Sequence, residues 1–72
     1  MENTQSAEDT IGQRIKKLRI ERDYTQERFA QIAGISYASL VKIENDAVKN
    51  PSIKTVKKIA VALNVTVDEL IS

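Results

Sequence analysis

From Thr10 onward the apolar side chains recur every three or four positions, which is the period of a helix and not the alternation of a strand. Ile11, Ile15 and Leu18 form one stripe, with Gln13, Arg14, Lys16 and Lys17 on the other faces, and predict a first helix ending near Asp23 and Tyr24. Thr10 followed by Gln13 fits a capping box, in which each side chain bonds the other residue's backbone N–H. Thr25 is a good N-cap for a second helix with Glu27 in its first turn, and Phe29, Ala30, Ile32 and Ala33 supply its buried side. Gly34 interrupts the pattern where a residue able to take positive φ is wanted, and Ser36 caps a third helix whose Leu40 and Ile43 point inward.

A polar connection from Asp46 to Pro51 leads to a fourth helix capped by Ser52. Its expected inner face is Ile53, Val56, Ile59, Ala60 and Leu63, with Lys54, Lys57 and Lys58 outside. Thr66 and Glu69 repeat the capping-box spacing and predict a short last helix over residues 67–71. Val65, Thr66 and Val67 are β-branched, but a lone strand would have no partner in this chain. Residues 1–9 are polar, without an apolar period, and are expected to form a flexible arm. The expected fold is all-α, a compact five-helix domain over residues 10–72.

Composition narrows the chemistry. A chain of 72 residues encloses one core, which predicts one domain. With no Cys and no His there is no disulfide, thiol nucleophile, imidazole base or zinc site of the usual kind. The acids are mostly isolated and no Gly-rich phosphate loop is present, so the expectation is a protein that is not an enzyme and has no cofactor. The longest apolar run, Ile59 to Leu63, is far short of the roughly 20 residues that span a bilayer, and no signal-peptide pattern precedes it. A cytoplasmic location is expected.

The formal net charge of +1 conceals a division. All 11 basic residues lie from Arg14 to Lys58, against Glu21, Asp23, Glu27, Glu44 and Asp46, while Glu2, Glu8 and Asp9 precede them and Asp68 and Glu69 follow. A basic middle between acidic ends is compatible with an anion-binding face, and equally with ordinary solvated helix surfaces.

The stretch from Gln26 to Ile43 has the offsets of a helix-turn-helix: small Ala30 where two helices cross closely, Gly34 at the turn, and Leu40 beneath it. Here the sequence resembles the phage-repressor-like helix-turn-helix family, often called the Cro/cI or XRE type. The resemblance runs from about Ile11 to Leu70. It rests on Ile11-Gly-Gln-Arg-Ile, Leu18-Arg19, Thr25-Gln26-Glu27, Ala33-Gly34-Ile35-Ser36, Ile43-Glu44-Asn45, Asn50-Pro51-Ser52 and Ala62-Leu63-Asn64-Val65.

The resemblance implies that the second helix crosses the DNA backbone while the third lies in the major groove. Burial gives the same orientation, because inward Leu40 and Ile43 leave Tyr37, Ala38, Val41, Lys42 and Asn45 on the opposite side. Tyr37, Ala38, Val41 and Lys42 are the candidate base contacts: Lys42 can donate to guanine O6 and N7, Tyr37 can donate or pack on a thymine methyl, and Ala38 and Val41 offer apolar contact only. Thr25, Gln26, Asn45 and Lys49 are the candidate phosphate contacts. Gln26 holds a backbone phosphate by implication of the resemblance, at a helix start whose free N–H groups already favour an anion. Thr25 has a plain alternative as a cap alone, and Arg14 and Arg28 read as solvated.

The resemblance also implies a partly buried ion pair between Arg19 and Glu44 that orients the first and third helices. Two departures stand out. Asp46 occupies a position where glycine commonly ends the recognition helix, which would bring its charge near phosphates, and Ala38 is short where many members carry a longer polar side chain.

One recognition helix reads few base pairs, so a homodimer on a palindromic site is expected, with Val65, Val67, Leu70 and Ile71 as candidate dimer contacts. The alternative for Leu70 and Ile71 is that they complete the monomer core. The function implied is a sequence-specific double-stranded DNA-binding transcriptional regulator, a repressor acting by steric exclusion of polymerase. The alternative is a protein-interaction adaptor or antitoxin-like module of the same fold, with a toxin or polymerase as its partner.

Overall fold

In a computed structural model describing residues 9–71, each of five helices begins at a hydroxyl side chain. They are α1 (Ile11–Glu21), α2 (Gln26–Ala33), α3 (Tyr37–Glu44), α4 (Ile53–Leu63) and α5 (Val67–Ile71), and no strand occurs among the described residues. The hydroxyls of Thr10, Thr25, Ser36, Ser52 and Thr66 each accept the backbone N–H three residues on, satisfying a donor that the first turn leaves free. Thr10 and Thr66 complete capping boxes, since Gln13 Oε1 accepts the Thr10 N–H at 3.1 Å and Glu69 Oε1 accepts the Thr66 N–H at 2.7 Å. Residues 1–8 of the expected arm lie outside the described residues.

Helix ends are set by left-handed residues. Gly34 (φ 75°) and Asn64 (φ 60°) are the C-caps of α2 and α4. Asp23 (φ 61°) turns the chain after α1, which stops at Glu21 rather than running to Asp23. Asp46 also adopts positive φ, 66°, so the residue in the usual glycine position takes up the backbone conformation expected of it.

The core draws on every helix: Ile15 from α1, Phe29, Ala30 and Ala33 from α2, Leu40 and Ile43 from α3, Val56, Ile59, Ala60 and Leu63 from α4, and Leu70 from α5. Each fully buried large side chain contributes about 1.5–3 kcal/mol of transfer free energy. The rings of Tyr24 and Phe29 pack with centroids 5.8 Å apart. No helix among the described residues is long and apolar enough to cross a membrane.

Three expectations about apolar positions are corrected. Leu70 has no exposed surface, because α5 folds back onto α1 and α4; it completes the monomer core and cannot serve as a dimer contact. The Arg14 guanidinium, donating to the Leu70 carbonyl at 3.4 Å, helps hold that end of the chain. Ile53 is 61% exposed rather than on the inner face, and its side chain borders an open depression with Thr10, Ile11 and Pro51. Ile32, 40% exposed, lies at the edge of α2 beside Lys57 and Val61. Val65 and Val67 are half-buried against the core, and Ile71 is exposed.

Thr10 joins the start of α1 to the end of α3. Besides capping α1, its hydroxyl donates to Asp46 Oδ1 at 2.7 Å. Thr10→Ala is expected to cost about 1–2 kcal/mol, from the lost cap and an aspartate left without its partner, whereas Thr10→Ser retains both bonds. Urea denaturation of the two variants checks this; equal midpoints for Ala and Ser would contradict it.

Candidate nucleic-acid interface

Burying Leu40 and Ile43 fixes the rotation of α3 about its own axis. Tyr37 (51% exposed), Ala38 and Lys42 consequently face solvent, while Val41 is half-buried and offers only part of its surface. Lys42 lies in the last turn of α3, where a cation also complements the negative end of the helix dipole. Ser39 is a further exposed member of this surface, beyond the residues expected from the sequence. Its hydroxyl accepts a bond from Ser36 at 2.8 Å, and with Lys42, Val48 and Thr55 it borders a shallow depression between α3 and the start of α4. The spacing of three between Ser39 and Lys42 was the available signal for it.

The four phosphate candidates differ in what their polar atoms already do. Thr25 is exposed and its Oγ1 accepts the Arg28 N–H at 3.0 Å, so capping is an established part of its role. Asn45 is exposed, and its Oδ1 accepts the Ala47 N–H at 2.9 Å, bracing the connection after α3. Lys49 is exposed in the connection between α3 and α4. Gln26 is half-buried at the first position of α2, and its Nε2 donates to Glu44 Oε1 at 3.0 Å.

That bond attaches Gln26 to the pair formed by Arg19 and Glu44. Arg19 Nε donates to Glu44 Oε2 at 2.8 Å and Nη2 donates to Oε1 at 3.0 Å, a two-pronged geometry matching guanidinium to carboxylate. The side chains are 9% and 2% exposed respectively. Arg19 Nη1 donates to the Tyr24 carbonyl at 2.6 Å, anchoring the turn before α2. One arginine from α1 thus holds both the final residue of α3 and the approach to α2, and it balances the glutamate's charge close to the candidate anion-binding residues. The Asp46 carboxylate accepts the Thr10 hydroxyl.

An exposed outer face on α3, a glycine-centred turn from α2 and an α1 brace define a helix-turn-helix domain. Residues 15–70 match the helix-turn-helix family, and the chain belongs to it, within the Cro/cI or XRE type. Over 61 residues it is 39% identical to the HTH-type transcriptional regulator SinR of Bacillus subtilis, covering 85% of this chain and 55% of SinR. It is 42% identical over 62 residues to the immunity repressor protein of Bacillus phage phi105, covering 86% of this chain and 42% of the repressor. Its fold superposes on that of SinR in a crystal structure with DNA with a TM-score of 0.82 at 39% identity, covering 85% of this chain and 97% of that one. The chain spans about half the length of these two full-length relatives.

Proposed function

We propose that this chain is a sequence-specific double-stranded DNA-binding transcriptional regulator, a repressor that places α3 in the major groove of a palindromic operator. The observation that carries this reading is the outward face of α3, where Tyr37, Ala38 and Lys42 stand exposed above fully buried Leu40 and nearly buried Ile43. Similarity to SinR, whose domain has been crystallised with DNA, and to a phage immunity repressor supports it. In this reading Tyr37, Ala38, Val41 and Lys42 meet base edges, and Thr25, Gln26, Asn45 and Lys49 hold the backbone. The activity is binding without catalysis, in the cytoplasm, and repression follows from excluding polymerase.

Binding as a homodimer is part of the proposal, with Val65, Val67 and Ile71 as the contacts that remain once Leu70 is assigned to the core. Sedimentation with a two-half-site duplex is expected to give two chains per duplex; one chain at saturation would remove the dimer.

Titration against duplex DNA tests the central claim. Several Lys and Arg contacts to phosphates give an affinity that falls steeply with salt; a flat or absent response would favour a protein-binding adaptor instead. Within the DNA reading the two classes of contact separate. Lys42→Ala is expected to relax preference at one base pair by about 1–3 kcal/mol, whereas Gln26→Ala weakens all sequences alike. Selection from a random duplex library checks both, and an unchanged motif for Lys42→Ala would remove that residue from base recognition.

A further inference from the structure

We infer that Glu44 is a positioning residue for the DNA backbone contact, acting through the Gln26 side chain. The inference rests on the proposed DNA reading and specifies how one of its contacts is prepared. Glutamine side chains on helix surfaces ordinarily sample several rotamers, and ordering one on binding costs free energy. Gln26 is different in having a fixed acceptor. The Glu44 carboxylate can only accept, so the Gln26 amide must turn its nitrogen inward to meet Oε1 at 3.0 Å.

Glu44 itself cannot wander, because its carboxylate is held by two arms of Arg19 and its side chain is 2% exposed. Gln26 therefore has one amide hydrogen tied to a rigid, buried anchor while the group as a whole remains half-exposed at the first turn of α2. Among the described residues no other acceptor takes the second amide hydrogen, and it is the donor available to a phosphate oxygen. The carboxylate also polarises the amide and, being paired with Arg19, does so without presenting a net negative charge to the DNA. Because Glu44 is the last residue of α3 and Gln26 the first of α2, the bond sets the backbone contact of one helix relative to the base-facing surface of the other.

The test removes the anchor while keeping the fold. Replacing both members of the ion pair with apolar residues of similar volume, Arg19→Met with Glu44→Leu, leaves no unpaired buried charge. Affinity is measured by fluorescence anisotropy for a 30-base-pair random-sequence duplex at low salt, in the native background and in a Gln26→Ala background. The double replacement is expected to weaken binding about three- to tenfold when Gln26 is present, the worth of one ordered hydrogen bond, and to have no effect when Gln26 is absent. Equal loss in both backgrounds, or loss in neither, overturns the positioning role while leaving the DNA reading intact. A wild-type chain that binds no duplex overturns the DNA reading and this inference with it.

A second measurement does not depend on the folding of any variant. Nitrogen-15 relaxation of the Gln26 side-chain amide in the unmodified chain is expected to give an order parameter near that of rigid backbone, about 0.8, before DNA is added. A value below about 0.6 would show that the amide is not held in advance and would overturn the inference.

Discussion

Glu44→Ala is expected to destabilise the domain by about 3–5 kcal/mol, because it strands the Arg19 guanidinium in a site where its side chain is 9% exposed. The loss has two parts. Two charge-assisted bonds at 2.8 and 3.0 Å disappear, and the cation remains desolvated with the Tyr24 carbonyl at 2.6 Å as its only partner among the described residues. In a domain of this size each kcal/mol moves Tm by about 4–8 °C, so a fall of at least about 12 °C is expected. Small domains have stabilities of about 5–15 kcal/mol, and the variant therefore sits close to unfolding at physiological temperature. Circular dichroism melts check this, and a Tm within a few degrees of the parent would show that water reaches the guanidinium once the carboxylate is gone. The paired apolar replacement is the internal control: it should retain most of the stability that the single substitution removes, because neither charge is left behind.

The parts of this architecture visible in the sequence are those that depend on near neighbours. Thr10, Thr25, Ser36, Ser52 and Thr66 all cap helices as expected, since a cap is an exchange between residues three apart and needs no knowledge of the rest of the fold. The inward positions Leu40 and Ile43, and with them the outward face of α3, were visible for the same reason. Features that depend on how helices dock were visible only where the family resemblance implied them, as with the Arg19–Glu44 pair. Leu70 and Ile71 are adjacent residues of a short helix and both could be buried or bare; only the return of α5 onto α1 and α4 assigns Leu70 to the core and leaves Ile71 57% exposed. The hydrogen bond between Gln26 and Glu44 joins residues 18 apart, and that between Thr10 and Asp46 joins residues 36 apart. No local periodicity reports either. Asp46 shows the division within a single residue: its left-handed backbone agrees with the glycine that the family resemblance places there, while the partner of its carboxylate was not visible.

Gly12→Ala is the second large effect expected, and it arises from the same contact between α1 and α3. Gly12 is buried in the first turn of α1, directly against the end of α3. A Cβ at this position would overlap the Ile43 carbonyl oxygen and would also lie 3.0 Å from both the Ile43 carbonyl carbon and Asp46 Oδ1. The obstruction is chiefly backbone, so no change of rotamer relieves it. Alanine normally stabilises a helix interior by about 1 kcal/mol relative to glycine, yet here the methyl forces α1 away from α3. Overpacking of this kind costs about 1–3 kcal/mol, and the present case belongs at the top of that range because separation also strains the Thr10–Asp46 bond and the Arg19–Glu44 pair. Gly34→Ala provides the comparison. It carries the penalty of a left-handed residue, φ 75°, but a Cβ there meets no atom within 4 Å, so its cost is the conformational one of about 1 kcal/mol alone. Chemical denaturation should therefore rank Gly12→Ala well below Gly34→Ala in stability. Because the displaced helix carries the brace of α3, Gly12→Ala should also weaken DNA binding at temperatures where the chain is still folded. Equal midpoints for the two alanine variants would mean that α1 can shift on α3 at little cost, and that the close approach at Gly12 does not hold α3 in place.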